Sequence, residues 1–120
     1  ALLAAYSTLQ GARFYGESWP YITELPSDDA THKDQPDRID DFIWSANTSS
    51  GSDVRFSHIW SLCFEGVYRS NLVLKYVPGI TMNELLKSYI LAEARFLRAL
   101  YYWHLAVSFG DVPIFESVPE

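Results

Sequence analysis

The side chains able to perform acid–base, nucleophilic or metal chemistry are few and scattered. His32, His58 and His104 fall in three different segments, with no HExxH or comparable ligand spacing. His104, within Trp103-His-Leu105, reads as a partly buried helical histidine and not as a catalytic base. Cys63 is the only cysteine, which excludes an internal disulfide and any multi-cysteine metal site. On an apolar helical face its thiol is inert packing. GxSxG, Walker and GxGxxG motifs are absent. The aspartates between Glu24 and Asp41 lack the alternating D-x-D-x-D-G loop that orders oxygen ligands around calcium, so they read as a solvated acidic loop. Pairing within or between helices accounts for Glu93, Arg95 and Arg98. No catalytic residue, metal or cofactor is assigned.

The aromatic residues offer a different chemistry. Trp19-Pro-Tyr21 and Phe42-Ile-Trp44 lie in or beside predicted loops, outside the helical stripes. Sugar rings present C–H faces that stack on Trp and Tyr, while nearby Asn, Asp and Arg hydrogen-bond the hydroxyls. Trp44 with Asn47 three residues later has that combination, and the acidic loop adds acceptors. The other reading is that these rings plug a helical core.

The elements that must position such residues can be read from composition and periodicity. A chain of 120 residues, 48% apolar and 20% charged, is globular and of single-domain size. Nine basic against 15 acidic residues argue against nucleic acid or an anionic membrane surface as partner. No uninterrupted apolar run reaches the roughly 18 residues of a membrane span. The chain starts at Ala1 and is read as processed or truncated. Glu24–Asp41 holds seven acids and two bases, together with Pro26 and Pro36, and reads as an exposed irregular loop.

Three segments carry helical periodicity. The first is about 2–14, with Leu2, Tyr6, Leu9 and Arg13 or Phe14 recurring. The second is about 53–76, with the apolar stripe Phe56, Ile59, Trp60, Cys63, Phe64, Val67 and Leu74 facing the core, Asp53 as N-cap and Val77-Pro78-Gly79 as stop. Gly66 weakens its middle by about 1 kcal/mol relative to Ala and so marks a close helix crossing. The third is about 81–108, opened by a Thr81–Glu84 capping box and closed at Phe109-Gly110. Its apolar positions cover over half the circumference, so it needs neighbours on two sides.

The run Leu91-Ala-Glu-Ala-Arg-Phe-Leu-Arg-Ala-Leu-Tyr-Tyr-Trp-His-Leu-Ala-Val-Ser-Phe-Gly-Asp-Val-Pro-Ile114 resembles the signature helix and turn of SusD/RagB-like proteins. Trp60-Ser-Leu-Cys-Phe-Glu-Gly-Val-Tyr-Arg-Ser-Asn71 resembles that family's Trp…Tyr…Asn helix, and Ala4-Ala-Tyr-Ser-Thr-Leu-Gln10 its first helix. The resemblance implies an all-α fold of tetratricopeptide-like helix pairs, an α-α superhelix with long irregular loops, of which residues 1–120 form an N-terminal portion. It implies a surface-exposed lipoprotein of the bacterial outer membrane in Bacteroidetes, its lipid-bearing cysteine absent from this chain. Such a protein captures glycans without cleaving them and delivers them to a SusC-like TonB-dependent transporter. Under that resemblance Trp44, Asn47, Trp19, Tyr21, Asp29 and Arg38 are the ligand-binding candidates. Glu93, Arg95, Phe109, Gly110, Asp111 and Pro113 are structural, fixing helix packing and the turn after the helix. The alternative reading is a helical interaction scaffold that docks the transporter, with ligand contacts elsewhere or a non-carbohydrate nutrient.

Overall fold

A computed structural model describes residues 1–27 and 51–118, and among these every regular element is helical. Helix α1 spans Leu2–Ser7, α2 Ser18–Thr23, α3 Val54–Tyr76 and α4 Glu84–Phe109, with a 3₁₀ turn at Val77–Gly79. The fold is all-α. Residues 1–9 with 60–120 form one compact unit and residues 10–59 another.

In the first unit, α3 and α4 are an antiparallel pair, as their contacts show. Trp60 meets Phe109, Phe64 meets Tyr102, Asn71 meets Arg98, and Val73 and Val77 share a cluster with Ala94. Numbers rise along one helix as they fall along the other. The seam follows three- and four-residue steps on both: Cys63, Val67, Ser70, Val73 and Val77 on one side, Ala94, Leu97, Tyr101 and Leu105 on the other, all buried. At Gly66 the Tyr101 ring of α4 packs directly against the α3 backbone. A Cβ there would sit within the van der Waals shell of the Tyr101 ring, so only glycine admits that aromatic.

Helix α1 ends at Ser7, where periodicity predicts helix to about residue 14. The Ser7 and Thr8 hydroxyls donate to the Ala4 and Ala5 carbonyls at 2.9 and 3.0 Å, competing with the backbone amides that would continue the helix. Long-range donors then take the same carbonyls. Arg69 Nη1 donates to Ala4 O at 2.7 Å, and the Tyr101 hydroxyl donates to Ala5 O and meets Thr8 Oγ1. A six-residue helix has no stability of its own in water. These bonds, with Tyr6 Oη donating to Glu93 Oε2 at 3.0 Å, hold it against α3 and α4.

Helix α4 starts at Glu84, and its cap is Asn83, not Thr81. Asn83 Oδ1 accepts from Leu86 N at 3.1 Å, while Glu84 pairs with Lys87 at 2.8 Å instead of reaching back to Thr81. Met82 packs on the Val73–Val77–Ala94 cluster, which spends residues 80–83 on the connection and moves the first turn onward. At the other end Gly110 has φ +75°, a conformation that excludes side-chain-bearing residues and redirects the chain.

In the second unit, Asp53 Oδ1 accepts from Arg55 N at 2.8 Å and caps the start of α3. Phe14 and Ser18 are fully buried, and a turn from Gly11 to Phe14 leads to α2. The segment Trp19-Pro-Tyr21, expected in or beside a loop, is helical. Pro20 stands in the first turn of α2, where its missing N–H costs no hydrogen bond.

Candidate functional site

In the first unit the chain leaving α4 doubles back over both helices. Three side chains hold it by its backbone. Asn71 Nδ2 donates to Phe115 O at 2.8 Å, and Arg98 Nη1 donates to Asn71 Oδ1 at 2.9 Å and to Glu116 O at 3.2 Å. The Tyr102 hydroxyl accepts from Phe115 N at 2.6 Å and donates to Phe115 O at 3.2 Å. Asn71 is buried, and each end of its amide makes one hydrogen bond to protein.

The returning segment forms one wall of an open groove of about 500 Å³ whose other wall is α3. Trp60, Phe64, Tyr68, Pro113 and Phe115 line it, with Ser61 and Ser117 as its small polar groups. The aromatic side chains form a linked cluster. Trp60 and Phe64 centroids are 4.8 Å apart, Phe64 and Phe115 are 5.8 Å apart at 72°, and Trp60 meets Phe109 edge-on at 5.1 Å. Trp60, Tyr68 and Phe115 keep 39–50% of their surface exposed. A second opening of about 430 Å³ adjoins it beyond Asn71 and Ser117, lined also by Lys75 and Glu116. The groove offers flat apolar faces and a few hydroxyls, a chemistry of stacking and shape.

Neither Cys63 nor His104, both buried in this unit, points to a reaction. Burial pushes the Cys63 thiol up to about 12, so it stays protonated at neutral pH. Burial lowers the pKa of His104, and its Nδ1 lies 2.8 Å from Leu100 O, a bond the neutral ring makes as donor. No group of three or more His, Cys, Asp or Glu able to hold a metal occurs among the described residues.

Of the sequence-predicted ligand residues, Trp44, Asn47, Asp29 and Arg38 lie outside the described residues, as does most of the acidic stretch. Trp19 and Tyr21 lie together on α2 in the second unit, both half-buried. The Arg55 guanidinium lies 4.4 Å from the Tyr21 ring centroid and covers one face of it. Trp19 sits 6.2 Å from buried Phe14. Among the structural candidates, Glu93 ties α1 to α4, Phe109 packs on Trp60, Gly110 makes the turn and Pro113 lines the groove. Arg95 and Asp111 are exposed.

Sequence reasoning assigned Trp60 and Phe64 to the core stripe of α3 and did not single out Phe115. The available signal was Trp60, Phe64 and Tyr68 at steps of four, a face displaced from the buried Cys63–Val67–Ser70 seam. Phe115 carried no such signal, because the turn at Gly110 and the Asn71–Arg98–Tyr102 clamp bring it there.

The first unit thus combines a buried antiparallel helix pair, a clamped return segment and a groove lined by aromatic side chains. Residues 4–120 match the SusD-like family described as "Starch-binding associating with outer membrane", and the chain belongs to that family. It is 27% identical over 127 residues to the SusD-like protein P25 of Formosa agariphila, across 98% of this chain and 24% of that protein. The chain thus spans about a quarter of the length of that curated relative. No solved structure matches it.

Proposed function

We propose that this chain is part of a non-catalytic glycan-binding protein of the outer-membrane surface, one that passes its ligand to a SusC-like TonB-dependent transporter. The observation that carries the reading is the family match over residues 4–120, in a family described as starch-binding and associated with the outer membrane. Physical support comes from the groove. Exposed Trp60, Tyr68 and Phe115 offer ring faces to the C–H faces of a sugar, and Ser61 and Ser117 offer hydroxyls. Trp44 and Asn47 remain candidates for the same task from the stretch between α2 and α3. Attachment to the membrane would come through a lipid anchor. Affinity per site would be modest and strengthened by multiple contacts along a polymer.

The test is affinity electrophoresis of the full-length parent protein through gels containing a panel of neutral polysaccharides. Wild-type protein should be retarded by at least one glycan. Trp60→Ala or Trp44→Ala should weaken that retardation about two- to thirteenfold in apparent Kd, the equivalent of roughly 0.5–1.5 kcal/mol for one lost stacking contact. No retardation by any glycan would reject glycan capture and leave the transporter-docking scaffold.

A further inference from the structure

The groove between α3 and the returning segment has a shape and a polarity that restrict which sugar unit it can hold. Its aromatic rings do not share a plane. Phe64 contacts both Trp60 and Phe115, inclined 58° to the first at 4.8 Å and 72° to the second at 5.8 Å. Rings set at such angles form a corner and not a continuous platform. A pyranose laid against one ring therefore brings its edge, with the exocyclic carbon, toward the next.

Polar groups are few there. No charged side chain lines the groove, and Lys75 and Glu116 belong to the adjoining opening. The side-chain hydrogen-bonding groups of the lining are the hydroxyls of Ser61, Tyr68 and Ser117 and the Asn71 amide. That amide is bonded to protein at each end. The three hydroxyls sit on exposed residues and suit the outward, solvent-facing hydroxyls of a sugar. None belongs to the corner of Trp60, Phe64 and Phe115. A hydroxymethyl group turned into that corner loses its water without gaining a partner. A methyl group in the same place gains dispersion contact with the rings.

We propose that the groove selects a 6-deoxyhexose unit, its C6 methyl seated in the corner of Trp60, Phe64 and Phe115 and its ring hydroxyls turned outward. An acetamido sugar also carries a methyl group, but its amide N–H and C=O need partners that the corner lacks. A uronic acid or a sulfated sugar brings a charge to a lining that holds no cation. The proposal rests on the reading of this groove as a glycan site and narrows it to one class of sugar.

NMR titration of the full-length parent protein with methyl glycosides in matched pairs tests it. The pairs are rhamnose with mannose, fucose with galactose and 6-deoxyglucose with glucose, each of one enantiomeric series and differing only at C6. The 6-deoxy member of at least one pair should bind about fivefold or more tightly, as expected when a buried hydroxyl has no partner. Saturation transferred from the protein should be strongest at its C6 methyl protons. Trp60→Ala and Phe115→Ala, both at exposed positions, should each bring the two members of that pair to nearly equal affinity. Equal or weaker binding of the 6-deoxy member in every pair would overturn the proposal. So would a preference that survives both substitutions, or tighter binding of the N-acetylglucosamine glycoside. Absence of binding by every methyl glycoside would overturn it too. The glycan reading itself stands or falls on retardation by polysaccharides, so the two failures are distinguishable.

Discussion

Asn71 shows how one side chain can decide a local structure. Its amide joins α3 to the returning segment through Phe115 O and to α4 through Arg98, and it is buried while doing so. Truncation removes two hydrogen bonds, leaving the Phe115 carbonyl with the Tyr102 hydroxyl alone and Arg98 Nη1 with Glu116 O alone. Asn71→Ala should therefore cost about 1–3 kcal/mol, read as a lower urea midpoint at unchanged m-value. It should also free Phe115 from the groove wall. Fluorescence of Trp60, which packs beside Phe64 in the same cluster, should shift toward the red as water enters. An unchanged midpoint would remove the clamp from the list of stabilising features. The role of Asn71 was only half legible in the sequence. The Trp…Tyr…Asn spacing marked it, but its acceptor is a backbone carbonyl 44 residues away that no pattern identifies.

At the scale of elements, the α3–α4 crossing opposes intrinsic propensity and packing. Replacing Gly66 with alanine should stabilise an isolated helix by about 1 kcal/mol. In the protein the new methyl group meets the Tyr101 ring, which cannot withdraw because its hydroxyl is bound at Ala5 and Thr8 and the residue is wholly buried. Overpacking of this kind costs about 1–3 kcal/mol. The sign of the effect is the prediction: Gly66→Ala lowers the thermal midpoint, and pairing it with Tyr101→Leu restores part of the loss. A stabilised Gly66→Ala would mean the helices do not cross there. Helix positions were legible because apolar period and stop signals coincide at Val77-Pro78-Gly79 and Phe109-Gly110. The ends moved where a tertiary contact intervened. Helix α1 stops early because Ser7, Thr8, Arg69 and Tyr101 claim its carbonyls, and α4 starts late because Met82 is drawn into a core cluster.

At the scale of the whole molecule, charge and chemistry point in one direction. The net charge is −6, and the groove is lined mainly by aromatic and aliphatic groups. Recognition by stacking and neutral hydroxyls is insensitive to screening. Retardation by a neutral polysaccharide should therefore change less than about twofold between 0.05 and 0.5 M salt, a range in which the Debye length falls about threefold. A tenfold loss across that range would indicate a charged ligand.

Fold class, the two long helices, the glycine crossing and the absence of a recognisable catalytic motif are properties of the sequence itself. They depend on local spacing, on 3.6-residue periodicity and on residues whose backbone limits are intrinsic. Which aromatic rings stay exposed, what ends α1 and what holds residues 115–116 were decided by tertiary structure. Each depends on partners 13 to 96 positions apart in the chain, such as Tyr102 with Phe115 and Tyr101 with Ala5. The physical reason is that a helix pattern tells which face is apolar, but only the fold determines whether a backbone carbonyl, a neighbouring ring or water comes to meet it.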